Sequence, residues 1–271
     1  MNMFLAANRL FRFSRRHFKT IERVCFVWVK FRTTAKHPSS ESYVANLLLV
    51  KDPVYCTLAT ICLSSFFHHH PKSQAIINVD SLTKVRAEVL FKREIKSNRV
   101  NIKMVGNSLS SWQDQKIDLI LGIKGENEFF IDADMRWNGV LPKIEEITFF
   151  VDEFKFAEKS PYAQLQQSEK FKEYENTSMK NTSFVSWGNY NINSKDRESL
   201  AKIKQNLKEI NESKLIPSLD KKTITRLSEQ IVLSCFVETL DSKVSFLKSK
   251  DGHMDGNFLE SSYYGETGIQ F

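Results

Sequence analysis

The chain has 271 residues, of which 41% are hydrophobic and 12% aromatic, and this apolar content excludes wholesale disorder. Its formal charge is +7, but the first 36 residues carry nine Lys or Arg against one Glu. The other 235 residues hold 30 bases and 31 acids. The basic excess is therefore N-terminal and does not by itself predict a polyanionic partner for the body of the chain.

The N-terminal segment 1–36 is rich in Arg and Phe and almost free of acids, which is typical of an amphipathic mitochondrial presequence. Arg9, Phe11, Ser14 and Phe18 fit the pattern Arg-x-(Phe/Leu/Ile)-x-x-(Ser/Thr/Gly) plus four residues. This resembles presequences that are cut in two steps, which implies a mature start at Lys19. A nucleic-acid-binding arm and a solvated basic helix stay open. We expect a mitochondrial location, in the matrix or at the matrix face of the inner membrane.

The segment 37–75 is an apolar lead segment that contains three consecutive histidines. Its stretch 43–67 is broken at 51–53, and the remaining run of roughly 14 residues is shorter than the roughly 20 that span a bilayer as a helix. We expect this stretch to pack in a core or against a membrane surface. Cys56 and Cys62 precede the histidines, but their spacing is not that of a zinc module, and we expect no metal.

Alternation of apolar and polar residues predicts a β sheet within 76–158. The expected strands have short connections, which favour antiparallel pairing. They are placed at 85–91, 100–105, 117–123, 128–137 and 147–156. The sequence thus predicts an antiparallel meander of about five strands.

The segment 159–251 is predicted to form two or three helices that pack on this sheet. The apolar spacing indicates one helix from Ser194 to about Leu215 and a longer one over 221–247. Ser160 and Pro161 indicate an earlier helix start. The last segment, 252–271, is a glycine-containing tail. The predicted fold class is α+β.

Known enzymatic motifs give little support for catalysis. The sequence contains no GxGxxG, GxxxxGK[ST] or GxSxG, so we expect no nucleotide cofactor. Asp134, with Glu153 and Lys155 on the next predicted strand, resembles the Asp…(Glu/Asp)-x-Lys pattern of restriction-type nucleases, which implies metal-dependent phosphodiester hydrolysis. The favoured alternative is that Asp132 and Asp134 form the solvated face of an amphipathic strand.

A basic stretch over 91–103 offers the best local material for contact with RNA. It is predicted to form a hairpin, and basic hairpins can contact phosphates. The basic residues are Lys92, Arg93, Lys96, Arg99 and Lys103, and Trp112 could stack on a base. A solvated hairpin with no ligand stays open.

The presequence, the compact body rich in Lys, Asn, Ser and Phe, and the lack of an enzymatic motif resemble the small nuclear-encoded yeast mitochondrial factors that mature or stabilise organellar transcripts. The resemblance implies a non-catalytic accessory in 5′-end maturation and stability of an organellar messenger RNA, that of cytochrome b. It implies RNA or RNA-processing and translation proteins as partners, and it carries over no functional residue. An inner-membrane-associated respiratory assembly factor and a metal-dependent nuclease stay open.

Overall fold

A computed structural model gives the fold. It describes residues 39–106, 111–137, 139–151, 165, 168–174, 177–212, 221–248 and 254–255. The strands are β1 (Val44–Leu49), β2 (Gln74–Val79), β3 (Val100–Met104), β4 (Glu128–Ile131), β5 (Arg136–Trp137), β6 (Ile147–Val151), β7 (Asn181–Ser186), β8 (Val244–Lys248) and β9 (Met254–Asp255). The α-helices are α1 (Val54–His69), α2 (Lys84–Leu90), α3 (Lys92–Lys96), α4 (Trp112–Leu121), α5 (Ser194–Glu212), α6 (Lys221–Arg226) and α7 (Ser228–Glu238), and Lys172–Tyr174 is a 3₁₀ turn. The predicted targeting residues Arg9, Phe11, Ser14 and Phe18 lie outside the described residues.

Seven strands form one mixed sheet in the order β3-β2-β1-β4-β7-β6-β8. β1 pairs in parallel with β2 and β4, β2 with β3, and β6 with β8. β7 is antiparallel to both of its neighbours. The prediction of an antiparallel α+β meander is therefore wrong, and the fold is α/β with a mostly parallel sheet.

Helices cover both faces of this sheet. α1 and α2 pack on one face, in a core that includes Leu47, Ile77 and Ala87. α4, α5 and α7 pack on the other face, in a core that includes Ile120, Ile203 and Phe236. Parallel neighbours such as β1 and β2 need a crossover connection, and α1 supplies it.

Two of the predicted strands are helices. Residues 85–91 fall in α2 and at its C-cap, and Asp80 Oδ1 accepts hydrogen bonds from the N–H groups of Leu82 and Thr83 ahead of that helix. Residues 117–123 fall mainly in α4, where the Ser111 hydroxyl accepts from the N–H of Asp114. A side-chain cap therefore supports α4, whereas the Asp80 side chain orders the turn that precedes α2, whose N-cap Thr83 makes no side-chain cap hydrogen bond.

The apolar stretch 43–67 forms core. It supplies β1 and most of α1, where side chains such as Leu47, Cys62 and Phe66 are fully buried. Of the two expectations for this stretch, packing in a core is confirmed, and contact with a membrane surface is not supported by these buried side chains. Among the described residues, none of the helices combines the length and apolar character needed to cross a bilayer.

The two C-terminal helix predictions had different outcomes. α5 confirms the helix that begins at Ser194, and its stripe of Leu200, Ile203, Leu207 and Ile210 is buried. The single helix expected over 221–247 is instead α6 and α7 followed by β8. β8 pairs with β6 at the sheet edge, so its backbone is satisfied by a strand far away in sequence.

Aromatic side chains fix α1 against the middle of the sheet. The ring centroid of Phe66 lies 5.6 Å from that of Phe129 and 5.2 Å from that of Trp137. Phe129 in turn lies 5.0 Å from Phe184 on β7. These contacts hold β4, and the residues that follow it, in a defined position below α1.

Candidate functional site

The strand order of the sheet reverses beside β1. The chain moves outward from β1 through β2 to β3, and then returns to place β4 on the other side of β1. The connecting helices change faces at the same step, since α1 and α2 pack on one face and α4 on the other. In open α/β sheets, the crevice at the carboxyl ends of the strands beside such a reversal is where nucleotides bind. The residues that follow β1 and β4 therefore form the candidate site.

Two carboxylates stand directly after β4, at Asp132 and Asp134. The N–H of Asp132 donates to the carbonyl of Ser183 on β7, at 2.8 Å, which ties the end of β4 to its neighbour. The N–H of Met135 then donates to the carbonyl of Asp132, at 3.3 Å, and turns the chain. Asp134 is only 8% exposed. The interpretation of these two aspartates as the solvated face of a strand is therefore wrong for Asp134.

The buried Lys116 on α4 holds Asp132 in place. Its Nζ lies 2.9 Å from Oδ1 and 3.1 Å from Oδ2 of Asp132, and 3.9 Å from Oε1 of Glu229 on α7. The side chains of Lys116 and Glu229 are 5% and 4% exposed, whereas that of Asp132 is 29% exposed. Asp132 thus keeps solvent-accessible oxygen lone pairs while one cation orients it.

Burial and charge set the ionisation of this cluster. Burial lowers the pKa of Lys116, but the carboxylates of Asp132 and Glu229 outweigh it and keep that pKa above its usual value. Burial raises the pKa of Glu229, and Lys116 offsets part of that rise. The ammonium of Lys116 is therefore charged at neutral pH and neutralises part of the negative charge at the crevice.

The side chain of Cys62 on α1 lies beside the same aspartates and is a thiol. Its Sγ lies 3.8 Å from the carbonyl oxygen of Asp132. Burial raises the pKa of Cys62, and the charges of Asp134 and Asp132 raise it further. A thiolate is the form that binds metals, so Cys62 is a poor ligand here. Groups of three or more His, Cys, Asp or Glu side chains that could hold a metal do not occur within the described part of the chain.

The carboxyl ends of β1 and β2 carry two further aspartates that bind backbone N–H groups. The Asp52 carboxylate accepts from the N–H of Val54 in the first turn of α1, at 2.9 Å. The Asp80 carboxylate accepts from the N–H of Lys51, at 2.7 Å, where Lys51 has a positive φ of 69°. Helix N-termini bind phosphates through such N–H groups. Here a side chain already occupies one of these groups at α1, so phosphate binding at this helix end is disfavoured.

The two aspartates after β4 fit a divalent cation. Mg²⁺ is usually held by one or two carboxylates together with waters and the oxygens of a substrate phosphate, rather than by a complete cage of protein ligands. Asp132 and Asp134 supply two carboxylates at one turn, at the strand ends beside the reversal of strand order, where open α/β sheets bind ligands. A pair, rather than a cluster of three, is sufficient for this mode of binding.

The predicted nucleic-acid residues do not converge on this site. The expected hairpin over 91–103 is wrong, because it consists of α3 followed by β3. Lys92, Arg93 and Lys96 lie on α3, and Lys103 lies on β3. The Arg99 guanidinium stacks on the Phe67 ring, 4.1 Å from its centroid.

Trp112 begins α4, and α4 packs on the face opposite α1 and α2. It therefore does not share a surface with α3. Of the predicted nuclease set, Asp134 lies in the candidate site, whereas Glu153 and Lys155 lie outside the described residues.

Sequence reasoning missed three of the residues that build the site. Asp132 was predicted to be a solvated side chain with no role in a site, although the apolar run Phe129–Ile131 followed by Asp-x-Asp is a usable sequence signal for a buried strand that ends in two carboxylates. Lys116 and Glu229 carried no signal, because they are 113 positions apart and meet only through the packing of α4 against α7.

A groove of about 600 Å³ also lies between α4, α5 and α7, away from the strand ends. Lys204 on α5 pairs with Asp114 on α4, with Nζ and Oδ1 2.7 Å apart. Asp114 and Asp118 are the carboxylates that line the groove. They lie four residues apart on α4, whereas Asp132 and Asp134 lie two residues apart at the end of β4. The crevice beside β4 is therefore the stronger candidate.

No known protein family and no curated protein matches the sequence. The fold is similar to that of the galactosyltransferase LgtC, solved with donor and acceptor sugar analogues, with a TM-score of 0.49 and 11% identity over 76% of this chain and 74% of that chain. It is also similar to apo mouse xyloside xylosyltransferase 1, with a TM-score of 0.42 and 11% identity over 76% of this chain and 85% of that chain.

The interpretation of the chain as a mitochondrial messenger-RNA maturation factor is wrong in the fold that it assumed, because an antiparallel α+β body was expected and the sheet is mixed and mostly parallel. The sheet carries a carboxylate pair beside a reversal of strand order, where α/β enzymes bind ligands. The resemblance rested on length, address and composition, and none of these fixes a fold. The alternatives of a respiratory assembly factor and of a nuclease are likewise unsupported.

Proposed function

We propose that the chain is a glycosyltransferase that takes a sugar from a nucleoside-diphosphate donor with the help of a divalent cation. One observation carries the proposal: Asp132 and Asp134 follow β4 at the reversal of the strand order. Glycosyl transfer is also the activity named for the solved structures reported above. The proposal rests on the carboxylate pair and not on those alignments.

The charges around the crevice favour a donor that arrives with a cation. Asp52, Asp80, Asp132 and Asp134 all follow strands β1, β2 or β4, and they would repel a diphosphate. The N-terminus of α1 already donates to Asp52, and the described residues contain no glycine-rich turn after β1. A divalent cation held by Asp132 and Asp134 would reverse the local charge and supply electrostatic stabilisation to a diphosphate leaving group.

The residues of the chain have defined tasks in this reaction. Asp132 and Asp134 would hold the cation, and Lys116 orients Asp132. In the transfer step, the bond between the sugar C1 and the diphosphate oxygen breaks, and its electron pair leaves on the nucleoside diphosphate. The acceptor oxygen forms a new bond to C1 and gives its proton to water or to a carboxylate. Ala133 and Met135, which flank Asp134, are buried in the core and anchor the turn that carries the two aspartates.

The proposal is tested with the purified full chain, Mn²⁺ or Mg²⁺, and a panel of UDP- and GDP-sugars. Titration calorimetry with UDP and with GDP, with and without the cation, measures binding separately from catalysis. We expect nucleoside-diphosphate binding that needs the cation, and slow release of nucleoside diphosphate from the matching sugar donor. Release of pyrophosphate from a nucleoside triphosphate would instead indicate nucleotidyl transfer and contradict the proposal.

Two variants and one control locate the activity. Asp132→Asn and Asp134→Asn should each weaken cation-dependent binding by roughly tenfold or more, since each removes one charged ligand. Asp118→Asn changes an exposed carboxylate on α4 and should bind like the wild type. If all three variants bind alike, the carboxylate pair does not hold the cation and the proposed function fails.

A further inference from the structure

The surface formed by α2 and α3 combines an exposed apolar stripe with a group of bases. Leu82, Val85 and Val89 are 68%, 67% and 67% exposed, which are the largest exposed fractions among the large apolar side chains of the described residues. They are spaced three and four residues apart, so they share one helix face. Thr83, Ala87 and Phe91 on the opposite face are buried in the core. The stripe therefore faces solvent.

The bases continue the same face along the chain. The helical path from 80 to 95 is nearly continuous, because backbone hydrogen bonds between residues four apart occur along it. They run from Lys84 N–H to the Asp80 carbonyl at 3.0 Å, from Phe91 N–H to the Ala87 carbonyl at 2.9 Å, and from Ile95 N–H to the Phe91 carbonyl at 2.9 Å. One turn beyond Val89, this path brings out a group of exposed bases. They are Lys92, Arg93 and Lys96. One outward surface thus carries aliphatic side chains at its first half and cations at its second.

Charge around this surface is strongly one-sided. Residues 81–104 carry seven Lys or Arg against two Glu, whereas the other residues from 37 onward carry 23 bases against 29 acids. Glu88 is the acid on α2, and Lys84 lies 3.8 Å from it. Arg86, Lys92, Arg93 and Lys96 are exposed. The surface is therefore a local positive patch on an otherwise acidic body.

We propose that this surface, residues 82–96, binds the headgroup region of an anionic lipid bilayer. Short aliphatic side chains can enter the boundary between headgroups and acyl chains, and neighbouring Lys and Arg can contact anionic headgroups. Stable membrane binding combines two signals, an apolar insertion and a basic patch, and the surface supplies one of each kind. The aliphatic side chains offer nothing on which a base could stack, which disfavours RNA as the occupant.

The location of the surface leaves the candidate site open to ligands. β3 is an edge strand of the sheet, and α2 and α3 connect β2 to β3 on the face that α1 also covers. Asp132 and Asp134 follow β4, which is separated from β3 by β2 and β1. Binding at residues 82–96 is therefore independent of the proposed function, and either can fail without the other.

The test is co-sedimentation of the full chain with vesicles at about 0.15 M salt. The vesicles are phosphatidylcholine alone or phosphatidylcholine with about 30 mol% phosphatidylserine. Each Lys or Arg near an anionic surface contributes about fivefold in affinity. The triple variant Lys92→Gln/Arg93→Gln/Lys96→Gln should therefore bind the anionic vesicles about 100-fold more weakly. Binding to phosphatidylcholine alone should be weak throughout.

A matched control removes the same charge elsewhere. Lys195→Gln/Lys202→Gln/Lys208→Gln takes three exposed bases from α5, on the opposite face of the sheet. Its affinity should stay within about threefold of the wild type, since charges beyond a Debye length of the membrane contribute little. The basic segment 1–36 is present in every protein compared, so it does not account for a difference between them.

A second variant tests the aliphatic part. Leu82→Ser/Val85→Ser/Val89→Ser changes exposed side chains, so we expect normal folding and about tenfold or greater loss of vesicle binding. Equal affinity of the α3 and α5 charge variants would overturn the proposal, as would unchanged binding of the serine variant. Loss of oligouridine binding with unchanged vesicle binding would assign the surface to RNA. A change from dimer to monomer with unchanged vesicle binding would assign it to a second copy of the chain.

Discussion

The buried pair of Lys116 and Glu229 provides a direct test of the structure. Lys116→Met removes the cation from a site where the Glu229 side chain is 4% exposed and leaves that carboxylate buried without its neighbour. Breaking a buried ion pair on one side costs about 3–5 kcal/mol in the free energy of unfolding. Asp132, at 29% side-chain exposure, remains partly solvated and adds less to the cost.

An exposed ion pair in the same chain supplies the control. Lys143 Nζ lies 2.7 Å from Oε1 of Glu145, and these side chains are 63% and 59% exposed. Lys143→Met should therefore lower the free energy of unfolding far less than Lys116→Met, because solvent screens the interaction. The double variant Lys116→Met/Glu229→Leu removes both buried charges and should recover most of the loss, since apolar replacement of a buried pair is often neutral.

Urea unfolding followed by circular dichroism measures these differences for the four proteins, including the wild type. The midpoints, at a common slope, give the changes in the free energy of unfolding. The reasoning is refuted if Lys116→Met and Lys143→Met lose the same stability. It is also refuted if the double variant is less stable than Lys116→Met, because the lost stability would then not come from an unpaired carboxylate.

Three further outcomes are expected. Burial lowers the pKa of His70 to about 4, below the 6.5 of the unfolded chain, so protonation favours unfolding as the pH falls from 6.5 to 4. The free energy of unfolding should fall by on the order of 2 kcal/mol over this range. A His70→Gln variant whose urea midpoints keep the wild-type dependence on pH would contradict this expectation. Gly188 has φ +57°, and a Cβ added there would lie 2.5 Å from the Glu145 carbonyl oxygen, whereas Gly125 has φ +82° and open space around it. In thermal unfolding, Gly125→Ala should lower the free energy of unfolding by about 1 kcal/mol and Gly188→Ala by about 3 kcal/mol. Equal losses of stability in the two variants would rule out the steric explanation. We also propose that 1–36 is an import signal, so incubation with isolated mitochondria should yield a protease-protected product starting at Lys19; an intact N-terminus after uptake would count against it.

The sequence identified amphipathic faces well where a single element decides them. The stripe of α5 is an example, since residues three and four apart meet on one helix wherever that helix packs. The alternating face over 129–137 is another. Phe129, Ile131, Ala133, Met135 and Trp137 all lie in one core, although β4 ends at Ile131 and β5 begins only at Arg136.

The prediction of a strand at 85–91 is wrong because the exposed apolar face of α2 produces the apolar–polar alternation that is typical of a strand. In α2, Val85 and Val89 face solvent while Ala87 is buried, and this mixture has the spacing of a strand. The Asp80 side chain binds the N–H groups of Leu82 and Thr83 and so orders the turn that leads into the helix.

The sequence by itself determined the charge distribution, the apolar faces and the pair of aspartates after an apolar run. The tertiary structure alone decided that β1, β2, β3 and β4 pair in parallel, and hence that Asp132 and Asp134 stand beside a reversal of strand order. The choice of strand partners depends on contacts between residues far apart in the chain, such as Val44 with Glu128, and no local pattern encodes it. The burial of Lys116 between Asp132 and Glu229 has the same origin, because three separate elements must pack before those charges meet.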